Sequence, residues 1–359
     1  MSPKNPFIAN ITGRRVFLTG HTGFKGSWML HWLHGLGCEI TGYALPPATV
    51  PNMYTLSGAD HLVARNHLRD IRDSAGLADA LSAAKPEIVF HMAAQPLVRR
   101  AYRESRVTWD VNVMGTVNLL EAARQVECVR AIVVVTTDKI YENRGETRRY
   151  RESDSLGGHD PYSASKAATE LVVQSYRRSF FCHGDALLAS ARGGNVIGGG
   201  DWSEDRLLAD AARSAAAGNV LMVRNPHATR PWQHVLDCLS GYLTLAGALL
   251  ERRAGSDSAY NFGPSEADSL TVGTLLDKLK GYWPKLDWRA DENGFVETPY
   301  EASFLSLDTT KAFIDLGWTG SWPVDEALRN TADWYRGVIA DPTRGPSLTI
   351  RQLDEYLAR

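Results

Sequence analysis

RVFLTGHTGFKGSW, residues 15–28, decides the fold. A β-branched, apolar run passes into Gly20, Gly23 and Gly26, three glycines three apart, and a helical pattern follows. A strand that hands over to a helix through such a loop has the geometry of a pyrophosphate site. Glycine allows positive φ in the turn and close backbone approach, while free N–H groups and the helix dipole face the anion. The same glycines can make a tight turn with no ligand, so the surrounding pattern decides. His21, Phe24 and Lys25 complete the loop.

Outward from this unit, short β-branched runs alternate with longer amphipathic stretches to about residue 195, the rhythm of βαβ units around a parallel sheet. Strands are expected at Arg15–Thr19, Glu39–Ala44, Ile88–His91, Ala131–Val135 and Ala186–Ala191, with a weaker one at Leu62–Arg65. Helices are expected at Gly23–Gly35, Ser74–Ala84, Arg99–Val126 and Tyr162–Phe180, covering both sheet faces. Gly198-Gly199-Gly200 then breaks the chain before helices at Asp205–Ala217 and Val235–Glu251. The expected fold class is α/β: a doubly wound parallel (Rossmann) sheet over 1–195 and a smaller C-terminal substrate-binding domain over 196–359, with segments near 230–265 returning to the sheet. Arg144–Glu152 is dense in charge and reads as a solvated loop.

Composition excludes several classes of partner. The 359 residues carry 39 basic and 41 acidic side chains, a net charge of -2, so no global field recruits nucleic acid or a membrane. Cys38, Cys128, Cys182 and Cys238 form no C-x-x-C pair, which fits a reducing compartment. Met1–Arg15 lacks a secretory pattern and no run approaches 18 apolar residues, so a soluble cytoplasmic protein is expected. His31 and His34 have no third ligand nearby, and no metal is expected. The ten tryptophans are scattered and read as core.

The strongest chemical signal is Tyr162-Ser163-Ala164-Ser165-Lys166, preceded by Pro161. Four-residue spacing puts phenol and ammonium on one helix face. A lysine charge about 5 Å from the phenol, at an effective dielectric near 20, is worth roughly 3 kcal/mol, which predicts a phenol pKa about two units below 10. Such a phenolate suits a base that takes a proton from an alcohol while hydride leaves its carbon. The preceding strand ends in Thr136-Thr137-Asp138-Lys139, at the carboxyl edge where open α/β sheets bind ligands. A hydroxyl, a carboxylate and a second amine beside Tyr162 exceed what alcohol oxidation needs. The second strand ends Tyr43-Ala44-Leu45-Pro46-Pro47, without the usual ribose-binding acid; Asp70-Ile71 is the nearer candidate for an adenine contact, with helix capping by Asp70 as the alternative.

With these residues in hand, the chain resembles the extended short-chain dehydrogenase/reductase family of nucleotide-sugar enzymes over nearly its whole length. The resemblance is carried by TGHTGFKGSW (19–28), HMAAQPLVRRAY (91–102), TTDKIYEN (136–143), LGGHDPYSASKAATE (156–170), ARGGNVIGGGDW (191–202) and RPWQHVLD (230–237). Lys139 stands where the family's dTDP-glucose dehydratases carry glutamate and its CDP-glucose enzymes carry lysine; Thr137 and Ile140 replace that pattern's common serine and cysteine. The resemblance implies an internal redox cycle on CDP-glucose: bound NAD takes hydride from C4, water leaves across C5 and C6, and hydride returns to C6. It implies Tyr162 as base for the C4 hydroxyl, with Lys166 lowering its pKa and anchoring the nicotinamide ribose. Thr137 would hydrogen-bond the C4 oxygen, Asp138 would protonate the departing C6 hydroxyl, and Lys139 would take the C5 proton. Gly20, His21, Gly23, Phe24, Lys25, Gly26, Asp70, Ile71 and Ala93 would line the cofactor. Arg206 and Arg230 look like diphosphate ligands, with Gln95, Arg99 and Asn195 near the sugar or phosphates. A homodimer through the helices at 99–126 and 162–180 is expected from relatives.

Two other readings stay open. Another nucleotide-sugar dehydratase or a 4-epimerase has the same fold, but an epimerase needs neither an acid for C6 nor a base for C5. A non-catalytic NAD sensor would commonly lack the Tyr162 and Lys166 pair.

Overall fold

Val16 and Leu18 of the first strand pack into one hydrophobic core and Phe17 into another, because successive strand side chains point to opposite faces. A strand covered on both faces reads as a continuous apolar run. The structure, a computed structural model, describes residues 5–291 and 304–359; residues 1–4 of the opening segment and 292–303 of the C-terminal unit lie outside these.

The chain begins with α1 (Pro6–Ala9), β1 (Arg15–Thr19), α2 (Phe24–Gly35), β2 (Glu39–Ala44), α3 (Met53–Leu56), β3 (Arg65–Leu68), α4 (Ser74–Ala84) and β4 (Ile88–His91). Three short helices follow, α5 (Val98–Arg103), α6 (Ser105–Trp109) and α7 (Gly115–Ala123), then β5 (Ala131–Thr137), α8 (Pro161–Ser179) and β6 (Leu187–Gly193). The remainder holds β7 (Asn195–Ile197), α9 (Leu207–Ala217), β8 (Val220–Val223), β9 (Thr229–His234), α10 (Val235–Leu250) and β10 (Ala259–Phe262). It ends with β11 (Ser269–Thr271), α11 (Val272–Tyr282), β12 (Asp287–Ala290), α12 (Thr310–Leu316), α13 (Val324–Ala340) and α14 (Gly345–Leu357).

Seven parallel strands pair in the order β10-β6-β5-β4-β1-β2-β3. One face is covered by α2 and by α10, whose residues from Val235 to Leu249 are all buried; the other by α4, α7 and α8. The second half of the chain therefore contributes to the sheet through β10 and to its cover through α10. Outside the sheet, β7 pairs with β9, β9 with β11, and β8 with β12.

Two expectations are corrected. The weak strand lies at Arg65–Leu68, not Leu62–Arg65: as an edge strand paired only to β2 it is largely exposed, so no apolar run marks it. The helix expected at Arg99–Val126 is three helices. Glu104 breaks it at φ -128°, ψ 50°, and a π turn spans Asp110–Met114. In that turn the buried Asn112 accepts from the Gln95 N–H (2.8 Å) and donates to the Ser165 hydroxyl (2.9 Å). Its carbonyl takes the Thr116 and Thr169 hydroxyls at 2.7 and 2.9 Å. Side chains thus replace regular helical pairing, and the widened turn ties the loop after β4 to α8.

Candidate active site

Strand order reverses between β1 and β4, so the loops after these strands open a crevice at the sheet's carboxyl edge. Gly20 has φ +74°, and a Cβ there would lie 2.7 Å from the Ala93 backbone nitrogen. A Cβ on Gly26 would lie 2.1 Å from the Gly20 carbonyl oxygen. Only glycine fits either position. Gly23 caps α2 with no side-chain hydrogen bond, so no side chain takes the first-turn amides of the helix. This cradle, with backbone donors at a helix N-terminus and Ala93 facing it, fits the pyrophosphate of a dinucleotide.

Other loop residues differ from their expected roles. His21 is fully buried, its Nε2 2.9 Å from the Asn66 amide oxygen and its ring edge-on to Tyr54. A Cβ on Gly42 would strike that ring, so Gly42 is what admits it; burial drops the His21 pKa to about 4. The imidazole therefore points under the loop as a neutral packing group, and only its backbone borders the cradle. Phe24 reaches toward Gly198. The Lys25 ammonium lies 3.5 Å from the Tyr242 hydroxyl and 3.8 Å from Cys238 Sγ. Asp70 does not cap α4; Asp73 does, accepting from the Gly76 N–H. The Asp70 carboxylate is held by Arg72, with Nη2 at 2.6 Å and the Arg72 N–H at 2.9 Å, and Ile71 packs against Gly115.

The reactive side chains meet where β5 runs into a short turn. β5 continues two residues beyond its expected end, so Thr137 is its last residue and caps the turn Asp138–Ile140. Thr137 Oγ1 donates to Asp138 Oδ1 (2.9 Å) and accepts from the Lys139 N–H (3.4 Å). Asp138 is 1% exposed and its Oδ2 has no partner, placed beside Gly194. Burial pushes its pKa up against the pull of Lys139, Arg230 and Lys25. A carboxyl held toward its neutral form is a proton donor.

On the other wall, Asp160 caps α8 by accepting from the N–H groups of Tyr162 and Ser163 at 2.9 and 3.0 Å, with Pro161 at the first helical position. This cap fixes where Tyr162 emerges. Its phenol lies near the Thr137 hydroxyl, which favours the ionised form. The expected lowering of the phenol by Lys166 is not what the structure has. Burial dominates and pushes Tyr162 up to about 12; the groups pulling it down are Arg206 and Thr137, while the Lys166 ammonium is spent on the Val135 carbonyl at 2.8 Å. Burial also brings Lys166 down to about 8, opposed by Glu170 one turn along the helix.

Sequence reasoning missed that Glu170. It is 0% exposed and accepts from Thr136, from Ser190 (2.8 Å) and from Arg192 Nη2 (2.8 Å), which is 1% exposed. Arg192 also donates to the Tyr141 hydroxyl (2.8 Å), which donates to Asn261 (2.7 Å). One buried network thus joins α8, β5, β6, β10 and the segment after Lys139. Glutamate one turn after the lysine, and an arginine inside an apolar strand, were the available signals.

The basic groups expected at the substrate are spread along the cleft. Arg230 is buried in β9, close enough to Asp138 to pull on its proton. Arg206 is exposed, donates to the Pro96 carbonyl at 3.2 Å and lies near Tyr162. Arg99 pairs with Asp205 at 3.4 Å. Asn195 opens β7 in register with Trp232. Gln95 is turned inward: its amide nitrogen donates to Thr108 and Leu97, and its oxygen accepts from the Leu97 N–H. Among the described residues no group of three metal-ligating side chains occurs, and no helix is long and apolar enough to cross a membrane.

The chain is similar to known proteins over nearly its whole length. The GDP-mannose 4,6 dehydratase family matches over residues 17–331. The chain is 44% identical over 356 residues to the CDP-glucose 4,6-dehydratase of Salmonella typhimurium, covering 96% of this chain and 97% of that protein. It is 31% identical to a dTDP-glucose 4,6-dehydratase of Streptomyces antibioticus, over 89% of this chain and 92% of the other. Among solved structures, the dTDP-glucose 4,6-dehydratase of Streptomyces venezuelae, with NAD bound, superposes with a TM-score of 0.71 at 26% identity, covering 90% and 97% of the two chains. The UDP-glucose 4-epimerase of Thermus thermophilus, also with NAD, gives 0.74 at 26%, covering 90% and 99%.

Proposed function

The chain belongs to the GDP-mannose 4,6 dehydratase family of extended short-chain dehydrogenases/reductases, and on that premise we propose that it is a hydro-lyase converting CDP-glucose to CDP-4-keto-6-deoxyglucose with NAD as cofactor. The observation that carries dehydration over epimerisation is Asp138: a buried carboxyl, with one oxygen unpartnered and its pKa raised, beside Tyr162 and Lys139. An epimerase has no use for that acid.

Bound NAD supplies the hydride acceptor for C4 and the hydride donor for C6. The loop at Gly20, Gly23 and Gly26, with Ala93 opposite, would hold its pyrophosphate, and Lys166 would anchor the nicotinamide end. Tyr162 takes the C4 hydroxyl proton while Thr137 hydrogen-bonds the same oxygen. The resulting 4-keto group acidifies C5, whose proton passes to Lys139; Asp138 protonates the C6 hydroxyl as it leaves. Arg230 and Arg206 bind the diphosphate, and Asn195, Arg99 and Gln95 shape the sugar and phosphate region.

Two further proposals concern the whole molecule. Tyr102, Trp109, Met114 and Leu171 lie 40–57% exposed on α5, α6, α8 and the π turn, and we read this face as the interface of a homodimer. Light scattering at twice the chain mass is the expected result, and a monomer at working concentration would refute it. All four cysteines are free, which supports action in the cytoplasm.

The deciding experiment is mass spectrometry of the NAD-loaded protein offered CDP-, UDP-, dTDP- and GDP-glucose separately. Loss of one water from CDP-glucose alone is expected, and Lys139→Met should abolish it. Water loss from another nucleotide overturns the base assignment; an isomer of unchanged mass moves the protein to the epimerases.

A further inference from the structure

We propose that Tyr141 is a positioning residue for the C5 proton transfer: its phenol and the Thr136 hydroxyl clamp the turn that carries Lys139, from both ends, to the buried pair Glu170 and Arg192. The inference rests on the dehydration reading above, in which Lys139 is the base at C5, and it concerns what holds that base in place. Lys139 lies in the short turn Asp138–Ile140, and its backbone N–H donates to the Thr137 hydroxyl at 3.4 Å. Among the described residues its ammonium has no hydrogen bond or ion pair. A lysine amine rides on a flexible four-carbon stem, so the turn beneath it is what directs it toward C5. A misplacement of about 1 Å at a reacting group can cost on the order of 10²-fold in rate.

The turn is fastened on both sides. Ahead of it, Thr136 donates its hydroxyl to Glu170, and Thr137 is in register with Gly193 in the sheet. Behind it, the Tyr141 phenol accepts from Arg192 Nη1 at 2.8 Å and donates to Asn261 Oδ1 at 2.7 Å. Arg192 Nη2 in turn holds Glu170 at 2.8 Å, so residues 136 and 141 end on one buried ion pair. The acceptor cannot turn away. The Asn261 amide nitrogen is committed to the carbonyls of Tyr150 and Asp308 at 2.9 and 3.1 Å, which leaves its oxygen for the phenol. The Tyr141 ring is buried and stacks on Tyr150, with centroids 5.1 Å apart and planes 14° from parallel. This fastening serves one half of the reaction. The groups for C4 oxidation are held elsewhere, Tyr162 by the Asp160 cap and Lys166 by the Val135 carbonyl. Loss of the Tyr141 hydroxyl therefore loosens the base at C5 and leaves the base at C4 in place.

The test is a single turnover of the NAD-loaded enzyme with CDP-glucose in stopped flow, following the rise and decay of NADH absorbance. C4 oxidation sets the rise; C5 proton removal, water loss and hydride return set the decay. Tyr141→Phe keeps the stacked ring and removes only the hydroxyl. It should leave the rise within about twofold and slow the decay by about tenfold or more. With CDP-glucose deuterated at C5, the slowed decay should carry a full primary isotope effect, because proton removal is then the slow step. If that variant does not fold, Arg192→Lys takes its place with the same expectation, since lysine keeps a charge for Glu170 but gives up the second prong of the fork to Tyr141. The positioning role is overturned if rise and decay slow by the same factor, as a general loss of packing would do, if the decay is unchanged, or if the slowed decay shows no C5 isotope effect. Failure of the underlying reading looks different: the wild type would lose no water from CDP-glucose, or Lys139→Met would dehydrate it at the wild-type rate.

Discussion

Replacing Tyr162 by phenylalanine is expected to lower turnover by about 10²–10⁴-fold, the contribution of a positioned general base. Binding of CDP-glucose should stay within a few-fold. The ring is nearly buried at the start of α8 and keeps its packing in the variant; only the hydroxyl oxygen is lost. Burial holds the phenol near 12, so the protein without ligands keeps it protonated at neutral pH. The base form is the ionised one, so wild-type kcat should rise with pH until the phenol in the complex has ionised. The phenylalanine variant should lose that dependence. Steady-state turnover by mass spectrometry, with calorimetric binding beside it, checks both; turnover within tenfold of wild type would remove Tyr162 from the chemistry.

What the sequence made legible, and what it hid, follows from how each group is held. The Gly20 loop was readable because its function requires missing side chains, and glycine at fixed spacing is visible in one dimension. Tyr162 and Lys166 were readable because a helix turns four-residue spacing into proximity. The tuning was hidden, because spacing alone shows only two charges in isolation. In the fold Lys166 bonds the Val135 carbonyl, and burial outweighs the charges around Tyr162. His21 was hidden for a related reason: its pocket is made by Gly42 and Asn66 of the neighbouring strands β2 and β3, whose pairing no local pattern gives. The π turn at Asp110–Met114 has no glycine or proline to announce it, because the bonds that sustain it come from Gln95, Ser165 and Thr169.

The largest stability effect is expected at Arg192. Arg192→Met leaves the Glu170 carboxylate buried without its counter-charge, and breaking a buried pair from one side costs about 3–5 kcal/mol. Adding Glu170→Gln should recover much of this, because the amide removes the stranded charge while its oxygen still accepts from Thr136 or Ser190. The pH dependence has a definite sign. Arg192 and the two hydroxyls hold Glu170 below its ordinary 4.5 in the wild type, so its stabilisation is present above that value and is lost as pH falls through the lower folded one. In Arg192→Met burial pushes the same carboxyl above 4.5, so that variant gains stability as pH falls toward 4.5. The deficit should therefore be greatest near neutral pH and shrink on acidification, read as guanidinium midpoints at pH 7 and pH 5. A deficit that does not change with pH, or a double variant no more stable than Arg192→Met, would mean that packing of the long arginine stem, rather than the charge on Glu170, holds α8 against β6.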